Sequence, residues 1–111
     1  MASYYDDADL ERYGQVADGN PELFESFLAW YSQAVGGDGA LSKREKALIG
    51  LAVAHVCQCP YCIDSLSTKC LESGADLAQM TEAIHVAGAL KAGSCLAHAI
   101  QMRSKHDSVS M

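Results

Sequence analysis

Between Lys46 and Val56 the chain carries Leu48, Ile49, Leu51, Ala52, Val53, Ala54 and Val56, which cover nearly the whole circumference of a helix. A helix that is apolar on all sides must be buried on all sides, so this segment is expected to be the central helix of the fold. Its start lies immediately upstream. Ser42-Lys43-Arg44-Glu45 is a capping box, in which the Ser42 hydroxyl accepts from the Glu45 N–H and the Glu45 carboxylate accepts from the Ser42 N–H.

Other helix signals surround it. Asn20-Pro21-Glu22 supplies an N-cap, a proline at the first helical position and an acid in the first turn. Leu23, Phe24, Phe27, Leu28, Trp30 and Tyr31 then form a broad apolar face, with Trp30 and Tyr31 as core or interface aromatics. Gly36-Gly37-Asp38-Gly39 ends that helix. Asp6 to Val16 predicts a short, polar, weakly held helix. Another begins at Cys59-Pro60 and ends near Ser73-Gly74, where glycine fits the left-handed cap. Asp76 opens a helix containing Leu77, Met80, Ala83, Ile84, Ala87 and Leu90. Gly88 and Gly93 are expected to interrupt or end it, before a last helix from Ser94 to about Met102 and a frayed polar tail from Arg103 to Met111. No strand pattern and no repeat is present, so the expected fold is all-α.

A chain of 111 residues predicts one domain with a modest core. The net charge of -6, without a basic stripe, argues against a nucleic-acid partner. Met1 to Asp7 has neither a basic region nor an apolar run and does not read as a secretory signal. The apolar stretch from Ala83 to Met102 is broken by His85, Lys91, His98 and two glycines, which argues against a membrane span. Five cysteines without a signal point to a reducing cytoplasm and to thiol chemistry rather than a disulfide framework. The helices around Leu48–Val56 and Ala83–Ile100 are too apolar for a lone domain of this size, so a homo-oligomer is expected.

Cys59-Pro60-Tyr61-Cys62 is the stretch that speaks to chemistry. Two thiols at this spacing suit reversible dithiol–disulfide chemistry or half of a soft-metal site. At a helix start, both feel the positive end of the helix, which favours thiolate. The local physics makes Cys59 the more exposed thiol. Cys57 adds a third, and Cys57, Cys59 and Cys62 together could bind a metalloid such as trivalent arsenic or a soft metal, although Cys57 reads more simply as packing in the last helical turn. Cys70 and Cys95 read as core. No second pair at finger spacing supports structural zinc.

His55, four residues before Cys59, faces the same side if its helix persists and can hold a proton there, or can be a buried, hydrogen-bonded histidine. His85 follows Glu82 at the ExxH spacing of bundle metal sites, but no second such pair exists. It can instead act as a base if its helix packs beside the thiols. His98 reads as satisfied core and His106 as tail. Asp64 sits where the helix dipole favours an acid, and Tyr61 lines the entrance to the thiols.

Several segments together resemble the carboxymuconolactone decarboxylase/AhpD-like family of all-α proteins. These are Leu41 to Ala54 as the first core helix, Cys59 to Asp64 as the redox CxxC, Lys69 to Ala75 as the end of the next helix, and Thr81 to Gly93 as the packing helix. The resemblance covers roughly residues 20 to 102 of the single 1–111 domain. Gly19-Asn20-Pro21-Glu22-Leu23 and Gln58 to Asp64 are most similar to an arsenosugar-biosynthesis-associated, peroxidase-like subgroup. The resemblance implies peroxidase-type chemistry in a homo-trimer or homo-hexamer. Its substrates would be a small peroxide or disulfide, with an external dithiol reductant and no organic cofactor or metal. It also implies attack by the second cysteine, Cys62, resolution by Cys59, and a Glu and a His that relay protons. The balance between Cys59 and Cys62 as attacking thiol therefore stays open, tilted toward Cys62. The relay residues are missing: Ala47 stands twelve residues before Cys59, and Leu66 stands four residues after Cys62. Glu45, two residues before Ala47, points about 200° away around the helix, and capping explains it, although it can still act across an oligomer interface. Lactone decarboxylation, which the family name suggests, has no need of a CxxC.

Overall fold

Each helix starts where a side chain can satisfy its first free N–H groups. In the computed structural model, which describes residues 6–110, a 3-10 helix (Asp7–Gly19) precedes four α-helices: α1 (Pro21–Val35), α2 (Lys43–Val56), α3 (Pro60–Glu72) and α4 (Leu77–Ser110). No strand occurs among the described residues. Asp6, Asn20, Ser42 and Cys59 are the caps of the 3-10 helix, α1, α2 and α3. Met1 to Tyr5, on which the reading of the N-terminus rests, and Met111 lie outside the described residues.

Helix α2 is central, with α3 and α4 packed on it. The core comprises Ala47, Leu51, Ala54, Leu66, Cys70 and Ala75, with Leu48, Ile63, Met80 and Ile84 against it. Leu51 is 1% exposed and Cys70 0%. The α2–α3 crossing depends on Gly50, where a Cβ would stand 3.0 Å from Leu66 Cδ2. Lys46 ties α1 to α2 by donating from Nζ to the Gln33 and Gly36 carbonyls at the end of α1.

Two expectations are corrected. First, α2 is not buried all round: Ile49, Val53 and Val56 are exposed, so one apolar face is open in the protomer. Second, Gly88 and Gly93 do not break the chain, and the tail is not frayed. Helix α4 runs through both glycines for 34 residues to Ser110. A mid-helix glycine costs about 1 kcal/mol relative to alanine, too little to end a helix rich in Ala, Leu, Met and Gln. The Arg103–Asp107 pair, at i,i+4, supports the last turns.

The outer half of α4 projects beyond the core. The radius of gyration is 18.9 Å, against about 13 Å for a globular domain of 100 residues. By length and composition α4 is apolar enough to cross a membrane, while its first turns are committed to the core through Met80 and Ile84.

Candidate active site

The site is set by how α2 ends. The Cys59 N–H donates to the Ala54 carbonyl and the Gln58 N–H to the His55 carbonyl, which is the paired hydrogen-bond pattern of a Schellman cap. That cap needs a left-handed residue, and Gln58 fills it at φ 54°. At the end of α3, Gly74 fills the equivalent position at φ 88°. A non-glycine residue held left-handed stores backbone strain, and here it lies directly before the dithiol. Cys57, the C-cap residue of α2, is exposed and not packing as expected.

Cys59 then serves as the N-cap of α3, a position normally taken by a hydroxyl or carboxylate oxygen. Its Sγ accepts the Cys62 N–H at 3.2 Å, and the Sγ atoms of Cys59 and Cys62 lie 2.6 Å apart with both thiols free. The two thiols differ in acidity. The hydrogen bond from Cys62 draws the Cys59 thiol below its ordinary range, aided by the backbone N–H groups of Cys62 and Tyr61. Desolvation, then the hydrogen bond to Cys59 and the nearby Cys59 and Cys57, pushes Cys62 up to about 11. Cys59 is therefore the more acidic thiol of the pair, and Cys62 the one that keeps its proton near neutral pH. The expected order of exposure is reversed, since Cys62 is exposed and Cys59 half-buried. Cys62 is exposed as a residue, yet it lines the aromatic cavity described next, which accounts for its desolvation.

Two cavities meet at the dithiol. One, of about 580 Å³, is lined by Asp9, Arg12, Gln15, Val16 and Asp18 of the 3-10 helix with Cys59, Tyr61 and Cys62. The other, of about 680 Å³, is lined by Phe27, Leu28 and Tyr31 of α1 with Leu66 and Lys69 of α3. Tyr13, Tyr61 and Cys62 belong to both. Tyr61 does line the entrance, and its hydroxyl donates to Asp9 Oδ2 at 2.9 Å, pinning the 3-10 helix beside the thiols. That bond, ahead of burial, raises the Tyr61 phenol.

The remaining candidates lie elsewhere or are engaged. Glu45 Oε1 accepts the Ser42 N–H at 2.8 Å, and the Ser42 Oγ accepts the Glu45 N–H at 3.1 Å. This capping holds the Glu45 carboxyl below its ordinary range. His55 is half-buried, with Nδ1 2.8 Å from the Leu51 carbonyl. His85 lines a shallow surface with Leu77 and Glu82 on α4, not either thiol cavity. Among the described residues no three His, Cys, Asp or Glu side chains form a metal-holding group, so Cys57, Cys59 and Cys62 are not gathered as a ligand set. Cys70 is core, but Cys95 is exposed beside an apolar α2–α4 groove. His98 is exposed, its Nδ1 2.8 Å from the Ser94 carbonyl. Asp9, Tyr13 and Tyr31 are the site residues that sequence reasoning missed. Only the aromatic character of α1 hinted at Tyr31, and nothing in the spacing pairs residue 9 with residue 61.

An all-α bundle that presents two free, juxtaposed thiols at a helix N-terminus defines a dithiol protein of the AhpD-like kind. The chain belongs to the carboxymuconolactone decarboxylase family, whose model matches residues 21–102. It is 44% identical over 86 residues, 78% of this chain and 77% of the other, to "Uncharacterized protein 4 in cox locus" of Paracoccus denitrificans. These similarities establish the family and not the narrower arsenosugar-associated subgroup.

Proposed function

We propose that the protein is a thiol-dependent peroxidase or disulfide reductase in which Cys59 attacks and Cys62 resolves. The observation that carries this reading is the Cys59 Sγ at the α3 N-cap, accepting the Cys62 N–H with the second sulfur 2.6 Å away. The Cys59 thiolate attacks one oxygen of a hydroperoxide. The S–O bond forms, the O–O bond breaks, and the departing alkoxide takes up a proton. The Cys62 sulfur then displaces hydroxide from the Cys59 sulfenic acid. The S–S bond forms, the S–O bond breaks, and the Cys62 proton leaves in water. An external dithiol reduces the disulfide by exchange and is itself oxidised to a disulfide. A compartment that keeps thiols reduced, such as the cytoplasm, suits this cycle.

The assembly is part of the proposal. The groove between α2 and α4, with Ile49, Val53, Val56, Val86 and Leu90, and the projecting Leu96 and Ile100 leave apolar surface that a second and third copy would cover. A homo-trimer or homo-hexamer is the reading this supports.

The test treats fully reduced protein with one equivalent of cumene hydroperoxide, quenches the thiols and maps them by mass spectrometry. The expected product is a Cys59–Cys62 disulfide, formed well ahead of the oxidation of free cysteine. Thiols that oxidise no faster than free cysteine would overturn the redox reading and leave stoichiometric capture of a soft ion as the function to examine.

A further inference from the structure

Breaking a peroxide O–O bond leaves an alkoxide or hydroxide, and the family's proton relay is missing here. Ala47 and Leu66, which stand at the relay positions, are core residues, 4% and 7% exposed. The ionisable groups named as replacements are also committed. Glu45 is closed into its capping box, His55 sits against the Leu51 carbonyl, and His85 lines neither thiol cavity. The Tyr61 O–H is given to Asp9.

Tyr31 is placed differently. It lines the aromatic cavity together with Cys62. Its ring is held by two contacts, the Phe27 ring at 5.5 Å between centroids and Lys69 Nζ at 5.6 Å over its face. Its hydroxyl makes no hydrogen bond among the described residues, so its proton is available to a bound molecule. Burial, then the nearby Cys62, Tyr13 and Cys59, raises the phenol, so it remains O–H where a donor is needed.

We propose that Tyr31 is the general acid of this site, giving its proton to the oxygen that leaves when a hydroperoxide is attacked at the Cys59–Cys62 pair. This assignment rests on the thiol-peroxidase reading. With the substrate's organic body in the aromatic cavity, which Tyr31 and Cys62 both line, the carbon-bound oxygen is the one that departs as the O–O bond breaks. The proton moves from Tyr31 Oη to the departing oxygen, which leaves as an alcohol. The phenolate formed recovers a proton from water, with the Lys69 ammonium over the face of its ring. Positioned acid catalysis of this kind is commonly worth about 100-fold or more.

Tyr31→Phe keeps the ring, its stacking and the cation over its face, and removes only the hydroxyl. Three second-order rates at Cys59 are compared by quenched mass spectrometry, using cumene hydroperoxide, peracetic acid and iodoacetamide. Acetate and iodide leave without needing a proton, so only the first reaction requires the acid. The expected result is a loss of about 100-fold with cumene hydroperoxide and little change with the other two reagents. Wild-type protein that reacts with cumene hydroperoxide, matched by an equally fast Tyr31→Phe, overturns the assignment and leaves the peroxidase reading standing. A parallel loss with all three reagents also overturns it, because that marks a structural role. A loss seen in Tyr13→Phe and not in Tyr31→Phe overturns it in favour of the neighbouring phenol. Wild-type protein inert to cumene hydroperoxide removes the underlying reading itself.

Discussion

Cys59→Ser is expected to lower the rate of the first peroxide step by at least about 100-fold, whereas Cys62→Ser leaves that step running and halts the cycle one step later. The asymmetry follows from the hydrogen bonds at the start of α3. With its thiol pushed up to about 11, Cys62 holds only about one thiolate in 10⁴ at pH 7. Replacing Cys59 removes the hydrogen bond and the charge that contribute to this elevation, but desolvation is its largest cause and remains. Cys62 alone is therefore a poor nucleophile. In Cys62→Ser, Cys59 keeps its place as N-cap and the backbone N–H groups of residues 61 and 62, and the serine hydroxyl takes over as side-chain donor from the lost S–H. It should still attack, and its sulfenic acid should accumulate, because no second thiol lies 2.6 Å away to displace it. Trapping with dimedone and quantifying each site by mass spectrometry reads both halves of the prediction. Equal losses in the two variants would show that the thiols act interchangeably.

Restoring an acid at the relay position is expected to destabilise the protein near neutral pH rather than improve it. Ala47 is 4% exposed and packs in the core with Leu51 and Leu66. In Ala47→Glu the new carboxyl has no basic partner in that core, and leaving a charge buried and unpaired costs about 3–5 kcal/mol. The group escapes part of this cost by staying protonated, so its folded pKa rises above the unfolded value of about 4.3. Below that unfolded value both states carry the proton, and the variant suffers only from added volume. As pH rises through the window up to the raised folded pKa, the unfolded chain releases the proton first, and stability falls by about 1.4 kcal/mol per pH unit. Urea melts at pH 4 and pH 7 should therefore differ by roughly 3 kcal/mol in the variant relative to wild type at the same two pH values. Matching differences in both proteins would place residue 47 in contact with solvent or with a cation.

Much of this was legible in the residues. The Ser42–Glu45 box, the Asn20 cap and the proline starts of α1 and α3 depend only on neighbours within one turn, and each is present. So is the dithiol, whose spacing across the first turn of a helix suffices to bring the sulfurs together. What escaped depends on distant or marginal effects. The continuity of α4 through Gly88 and Gly93 turns on small propensity costs set against good helix formers on both sides. The reversal between Cys57 and Cys59 rests on Gln58 taking a conformation that sequence would assign to glycine or asparagine. The cavity walls come from the 3-10 helix and α1, and no local pattern links Asp9 to Tyr61 or Tyr31 to Cys62.

The ordering of the two thiols is the centre of the account, and site-resolved alkylation measures it without reference to any substrate. Reduced protein is pulsed with iodoacetamide across pH 5 to 11, and the adducts at Cys59 and Cys62 are counted separately by mass spectrometry. Cys59 should react with an inflection below that of an ordinary cysteine thiol, and Cys62 should gain comparable reactivity only near pH 11. Alkylation of Cys62 before Cys59 at neutral pH would contradict it.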